Sequence, residues 1–321
     1  MEKDACAKTT CAKTSSHRHL CAPGADVLVR VLVLAATSRS PCKCRILSDS
    51  ATFSVSMLFI LLPITGSCPE GPHVEHGRGT YRLKHHAGSH GRHTWSQHGQ
   101  DVAVDDILGK RRDGFFVEVG GFDGETGSNT LFLETQRNWT GLLIEAVPQS
   151  YEALRRRDRG CYTAHACIGS DAALTFRVAG QISSSEQYSS AAHMARIHSE
   201  LRHHQPSYFG AGAPIAGNRT VRVRCYPLAD LMCATGHTHV DYLSLDVEGA
   251  EVPVLRSIFE ADTRQLAKPA ALTVDIISVE VQEHRSEIAA LLTRHGYQRV
   301  RSLLGGADDI YARSIVSILA E

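Results

Sequence analysis

The sequence predicts an α/β fold: a mostly parallel sheet of seven strands, helices on both faces, and a terminal antiparallel hairpin. Three observations predict it. The stretch Phe115–Glu145 reads strand, glycine turn, helix, strand, acid. Strand-like and helix-like runs then alternate as far as His295. Two short runs close the chain, Tyr297–Ser302 and Asp309–Arg313, near enough in sequence to pair antiparallel.

Each element has its own signal. Val102–Leu108 reads as a short helix that packs on the sheet. Phe115–Val119 is β-branched and aromatic, as a buried strand is. It carries Glu118 and runs into Gly120, Gly121 and Gly124. Glycine turns the backbone sharply and lets a ligand approach the main chain. A helix follows from about Ser128 to Arg137, with Leu131, Phe132 and Leu133 as its apolar residues. Gly141–Ala146 is the second strand, with Glu145 at its end. Pro148–Arg159 is a helix, with proline in its first turn and basic residues at its end. Cys161–Ile168 is the third strand. Ala173–Val178 and Thr220–Tyr226 alternate apolar and polar residues and read as a paired insertion. Between them, Ala179–Arg219 is rich in Ser, Gly, His and Pro, with one helix around Ala191–His204. A loop of that length is either a lid facing the substrate or a disordered surface segment. Pro227–Thr235 is a helix, and Val240–Val247 is the fourth strand, ending in Asp246 and Glu248. Ala250–Phe259 is a helix, Thr273–Val281 the fifth strand with Glu280 near its end, and Glu283–His295 the last helix.

Ligands of open α/β sheets bind outside the carboxyl ends of the strands, where the strand order reverses. Glu118, Glu145, Asp246, Glu248 and Glu280 all fall at such ends. An acid ending the second strand, Glu145 here, can accept hydrogen bonds from two ribose hydroxyls. The pattern G-x-G-x-x-G is missing, which opposes a nicotinamide enzyme, and no Gly-Lys-Ser/Thr follows to cradle ATP or GTP phosphates. A loop led by an acid suits a positively charged ligand without a pyrophosphate, and S-adenosylmethionine is such a ligand. Asp246 and Glu248 also admit a plainer role, since acids just ahead of Ala250 favour a helix start.

The segments FFVEVGGFDGETGSNTLFLE, NWTGLLIEA and DYLSLDVEGAEVPVL (Asp241–Leu255) resemble the FkbM-type methyltransferase family, above all its membrane-anchored Star-like animal branch. The resemblance spans roughly residues 105–313. It implies a class I methyltransferase (Rossmann-like) fold and S-adenosylmethionine as cofactor; the resemblance does not point to the acceptor, and O-methylation of an unidentified acceptor is the first reading of the function. On that reading Glu118, Gly120, Gly121, Asp123, Gly124, Asn129 and Glu145 hold the cofactor. Glu145 takes the ribose, and Glu118, Gly120, Gly124 and Asn129 take the methionine end. Asp246 and Glu248 face the acceptor, and the candidates for removing its proton are Asp246, Glu248 and His284. The Star-like branch also implies an alternative, a trafficking factor that carries membrane-bound growth-factor precursors and uses the fold to bind cargo.

Lys plus Arg and Asp plus Glu are both 34 among 321 residues, a balance that argues against a general nucleic-acid binder. None of the ten cysteines has C-x-x-C spacing, so no zinc ribbon is expected. Cys161, Cys167, Cys225 and Cys233 form two disulfides if the domain is lumenal, or are small buried side chains. Residues 1–49 show no fold and read as a disordered cytoplasmic tail. Ser50–Pro69 is uncharged, with Arg39, Lys43 and Arg45 before it and Glu70 and Glu75 after it. That pattern reads as a signal anchor with the domain in the lumen of the endomembrane system or outside the plasma membrane. A cleaved signal peptide and a buried helix are the other readings. Residues 70–100 form a stem rich in His and Gly, whose irregular histidine spacing fits a solvated linker; no metal site is expected. The domain then runs from 101 to 321, with sequons at Asn138 and Asn218.

Overall fold

The computed structural model describes residues 68, 71, 73–84, 94–203, 220–260, 272–281 and 283–313. The expected tail, the anchor apart from Cys68, residues 204–219 of the insertion and the sequon at Asn218 lie outside them. No helix of the described residues is long and apolar enough to cross a membrane.

In chain order the elements are β1 (Val74–His76), α1 (Gln100–Ile107), β2 (Phe115–Val119), α2 (Leu131–Arg137), β3 (Thr140–Glu145), α3 (Pro148–Arg156) and β4 (Tyr162–His165). The insertion holds β5 (Cys167–Ile168), β6 (Ala173–Arg177), β7 (Ser184–Ser185), α4 (Ala191–His203) and β8 (Thr220–Tyr226). Then come α5 (Leu228–Thr235), β9 (His239–Leu245), α6 (Glu251–Phe259), β10 (Thr273–Glu280), α7 (Arg285–Arg294), β11 (Tyr297–Ser302) and β12 (Asp308–Arg313).

The main sheet has eight strands in the order β1-β4-β3-β2-β9-β10-β12-β11. The five strands β4, β3, β2, β9 and β10 run parallel. β12 pairs antiparallel with β10, and β11 with β12, as the terminal hairpin requires. From β2 the chain steps outward through β3 and β4, then returns to place β9 on the other side of β2. The order therefore reverses between β2 and β9, and a crevice opens above their carboxyl ends.

Side chains alternate across these strands with period two. Val117, Leu142, Leu243, Ile277 and Tyr311 join α5, α6 and α7 in one core. Phe116, Leu143, Tyr242, Ile276 and Ile310 face α1, α2 and α3 in the other. Both faces of the central strands are thus apolar, so they read as continuous apolar runs.

The eighth strand corrects the expected count of seven. β1 lies in the stretch expected as a stem, yet it pairs antiparallel with β4, Glu75 opposite Thr163. Cys68 just before it is bonded to Cys233 of α5. The domain therefore begins ahead of residue 101. Among the four cysteines expected to pair with one another, Cys167 bonds Cys225, Cys233 bonds Cys68, and Cys161 is a buried free thiol. The expected third strand breaks into β4 and β5. β5 leaves the main sheet for a second one, ordered β5-β8-β6-β7, in which β6 and β8 pair antiparallel.

Candidate functional site

A cavity opens at the switch between β2 and β9. Its floor is set by the last residues of the parallel strands. Glu118, Ser244 and Ser278 stand in register across β2, β9 and β10. Two residues further, Gly120 follows β2, Asp246 follows β9 and Glu280 ends β10, with Asp308 of β12 opposite Glu280. Gly120 has φ +91°, and a Cβ there would meet the Asp246 carbonyl oxygen at 1.9 Å. Only glycine allows the loop to leave β2 this close to β9.

Glu118 is buried and works inward. The Asn129 amide donates to Oε1 at 2.8 Å, and the Ser128 and Thr130 hydroxyls donate to Oε2. These bonds tie the first turn before α2 to β2. Burial pushes the Glu118 pKa up, and the Arg159 guanidinium and the three donors oppose that rise. Arg159 is fully buried and donates to Glu134, the Gly124 carbonyl, Ser128 Oγ and Thr130 Oγ1 at 2.8–3.0 Å. Sequence reading takes Arg159 only as the basic end of the helix expected over Pro148–Arg159; in the structure α3 stops at Arg156 and Arg159 pins the whole loop.

Glu145 ends β3 with 7% exposure and lines the cavity. Its carboxylate accepts the Phe122 amide at 2.9 Å and the Val147 amide at 2.7 Å. The Ala146 amide also bonds it, and the roughly four lone-pair sites of the two oxygens still exceed these three donors. Burial pushes its pKa up to about 7 despite those amide bonds. Phe122, also on the cavity wall, holds φ +45°, a strained conformation for a bulky residue.

Opposite stand Asp246, Glu248 and Glu280, half-buried, with carboxylate oxygens within 4.8 Å of one another. Burial first, then mutual repulsion, pushes all three pKa values up: Asp308 repels Asp246, and Asp246 repels Glu248 and Glu280. Asp246 and Glu280 are hydrogen-bonded to each other. Neither Asp246 nor Glu248 caps α6. The helix has no side-chain cap, and Glu251 in its first turn instead accepts the Val247 and Gly249 amides of the preceding loop at 3.2 and 3.1 Å.

The described part of the insertion packs over this end. Ser184 Oγ donates to the Glu248 carbonyl at 2.6 Å, and His193 Nδ1 lies 3.5 Å from the Glu248 carboxylate. Arg196 of α4 reaches the cavity wall, as do His98 and Gln100 from the segment around α1. None of these residues carries a strand-end signal, and the sequence offers no means of bringing them here.

The FkbM methyltransferase domain model matches residues 118–303. The chain belongs to the FkbM methyltransferase domain family. No curated protein matches it significantly. Among solved structures, a TehB-like SAM-dependent methyltransferase from Corynebacterium glutamicum is 9% identical, with TM-score 0.33, covering 68% of this chain and 89% of that one. Precorrin-6y C5,15-methyltransferase from Geobacter metallireducens is 10% identical, with TM-score 0.33, covering 67% and 87%. A human methyltransferase 10 domain containing protein is 11% identical, with TM-score 0.34, covering 66% and 79%. These likenesses are distant. The strand order and the family match carry the assignment to the class I methyltransferase fold.

In this FkbM domain the cavity gathers Glu118, Gly120, Gly121, Asn129 and Glu145 with Asp246 and Glu248. Three expected site residues stand elsewhere. Asp123 is buried beneath the loop, accepting from Arg157 at 2.6 Å and from the Thr126 amide at 2.7 Å. Burial would raise its pKa, but the Thr126 amide and Arg157 outweigh it and hold the value low. A Cβ on Gly124 would touch Leu154 and Arg157, so this glycine serves packing under the loop. His284 is partly exposed at the start of α7, 4.0 Å from Glu287, and does not line the cavity. Glu280, not His284, is the side chain that lies beside Asp246 on the cavity wall.

Proposed function

We propose that this FkbM domain is an S-adenosylmethionine-dependent methyltransferase that acts on an acceptor hydroxyl. The observation that carries the reading is Glu145, an acid at the end of β3 whose carboxylate is fixed by backbone amides and still lines the cavity. A carboxylate with fixed geometry and spare lone pairs suits the vicinal hydroxyls of a ribose. The donor set fits the cofactor's other end too, because Glu118, Gly120 and Gly121 border a cavity rich in acids that favours a positively charged group. Bound there, S-adenosylmethionine supplies an electrophilic methyl on a positively charged sulfur. The protein's part is to align an acceptor oxygen and to receive its proton. Asp246 and Glu248, with Glu280 beside them, are the side chains at the acceptor's end of the cavity.

Two disulfides, Cys68–Cys233 and Cys167–Cys225, support a home in an oxidising compartment, the lumen of the secretory pathway. An anchor in residues 50–67, ending ahead of the disulfide-bonded Cys68, would hold the domain there.

The acceptor class is tested by following S-adenosylhomocysteine formation with pools of hydroxyl-bearing and amine-bearing acceptors. The expected result is product with hydroxyl acceptors, lost in Glu145→Ala. Turnover with amines alone would overturn the assignment to hydroxyls.

A further inference from the structure

We propose that Asp246, Glu248 and Glu280 form a binding site for one hard divalent cation, Mg2+, Mn2+ or Ca2+, in the wall of the cavity. β9 and β10 are adjacent parallel strands, and their ends bring Asp246 and Glu280 together. Glu248 lies two residues beyond Asp246 with φ +52°, and this left-handed turn accompanies the return of its carboxylate to the pair. The three carboxylate oxygens lie within 4.8 Å of one another. The centre of a triangle with sides of that length is about 2.8 Å from each corner, close to the 2.3–2.6 Å of calcium–oxygen bonds. Small side-chain rotations shorten it further. An all-oxygen donor set selects hard cations over zinc or copper.

A second observation points to a ligand at the same place. Asn129 is 5% exposed and lines the cavity, and its Oδ1 has no hydrogen-bond partner. Its Nδ2 donates to Ser244 Oγ at 2.9 Å, which fixes the amide beside β9, two residues and one same-face step below Asp246. A buried acceptor without a donor is rare. Cations of the Mg2+ class keep several of their waters, and such a water is a strong donor for Oδ1.

The other convergent group in the fold behaves differently. His239, Asp241 and Asp275 cluster at the opposite ends of β9 and β10. There Arg111 pairs with both aspartates, so a guanidinium already supplies the positive charge. At the cavity the acids Asp246, Glu248, Glu280 and Asp308 outnumber the basic side chains near them, Arg196 and His98 on the described wall and His193 at 3.5 Å from Glu248, and no guanidinium of the described residues bridges Asp246 and Glu248 as Arg111 bridges its two aspartates. A cation held there would draw an acceptor oxygen toward it and ease loss of its proton. That role rests on the methyltransferase reading; binding of the ion does not.

The test is a titration of the full, chelator-treated chain with Mn2+, read by electron paramagnetic resonance. The expected result is one saturable Mn2+ per chain, displaced by Mg2+ or Ca2+. Glu280→Gln should weaken it by at least about tenfold. Asp246→Asn serves as a second variant should Glu280→Gln fail to fold, with the same loss expected. His239→Ala should leave binding unchanged. Absence of saturable Mn2+ binding by the folded wild type would overturn the proposal. So would binding that persists unchanged in the folded Glu280→Gln or Asp246→Asn chain, since the ion would then sit elsewhere, as on the histidines of residues 73–98. Calorimetry with S-adenosylmethionine on the same samples keeps the two readings apart: cofactor binding without Mn2+ binding defeats only this site.

Discussion

Glu145 is pulled in two directions. Folding favours its neutral form, because burial pushes its pKa from 4.5 up to about 7. Ribose binding favours the carboxylate, which accepts on both oxygens. The sign of the stability effect follows. The contribution is fully present below the unfolded pKa of 4.5 and is lost as pH rises through 7. The loss amounts to roughly 3 kcal/mol for a shift of this size. Glu145→Gln has no such titration. Unfolding free energies of the two proteins, measured at several pH values, should diverge in favour of Gln by about that amount from acid to alkaline pH. A constant difference across the range would contradict the account. Over the same range, cofactor affinity of the wild type should rise as the carboxylate forms. Residue-level signals of this kind are legible in a sequence. Glu118, Glu145, Asp246 and Glu280 announce themselves as acids at the ends of apolar runs. That Glu280 rather than His284 lies beside Asp246 is not legible there, since strand register decides which side chain reaches Asp246.

At the scale of elements, the turn between β2 and α2 is held from below. Arg159 is the fully buried cation at its centre, shared among Glu134, Gly124, Ser128 and Thr130, with Glu118 at 4.0 Å. Removing one partner of a buried charge pair typically costs about 3–5 kcal/mol, because the remaining charge is stranded. Arg159→Met should therefore lower the unfolding free energy by roughly that much in chemical denaturation. A loss below about 1 kcal/mol would show that the loop stands without it. Local sequence predicts the turn through its glycines but not its pin, because Arg159 follows α3 and reaches the loop only through tertiary packing. The same holds for β1. Its three residues, Val74, Glu75 and His76, show no period among neighbouring glycines and histidines. Pairing with β4 and the Cys68–Cys233 bond create the strand, and both partners are distant in sequence.

At the scale of the molecule, the fold class was legible because the central strands are buried on both faces and their helices are regularly spaced. The insertion was legible as a pair of alternating strands, β6 and β8, but not as a second sheet that covers the acidic end of the cavity. Cavity walls built from distant segments, such as His98, Gln100 and Arg196, leave no local trace. What unites the described residues is the crevice at the strand switch, with a fixed acid at β3 and a cluster of acids at β9 and β10. Cofactor binding in that crevice is the central expectation. The measurement that tests it most directly is calorimetry of S-adenosylmethionine with the full chain beside Glu145→Ala. The account predicts saturable binding at one site per chain, weakened by at least about tenfold in the variant, since a charge-assisted hydrogen bond contributes roughly 1.5–3 kcal/mol. Failure of the folded wild-type chain to bind, or equal binding by the folded variant, would contradict it.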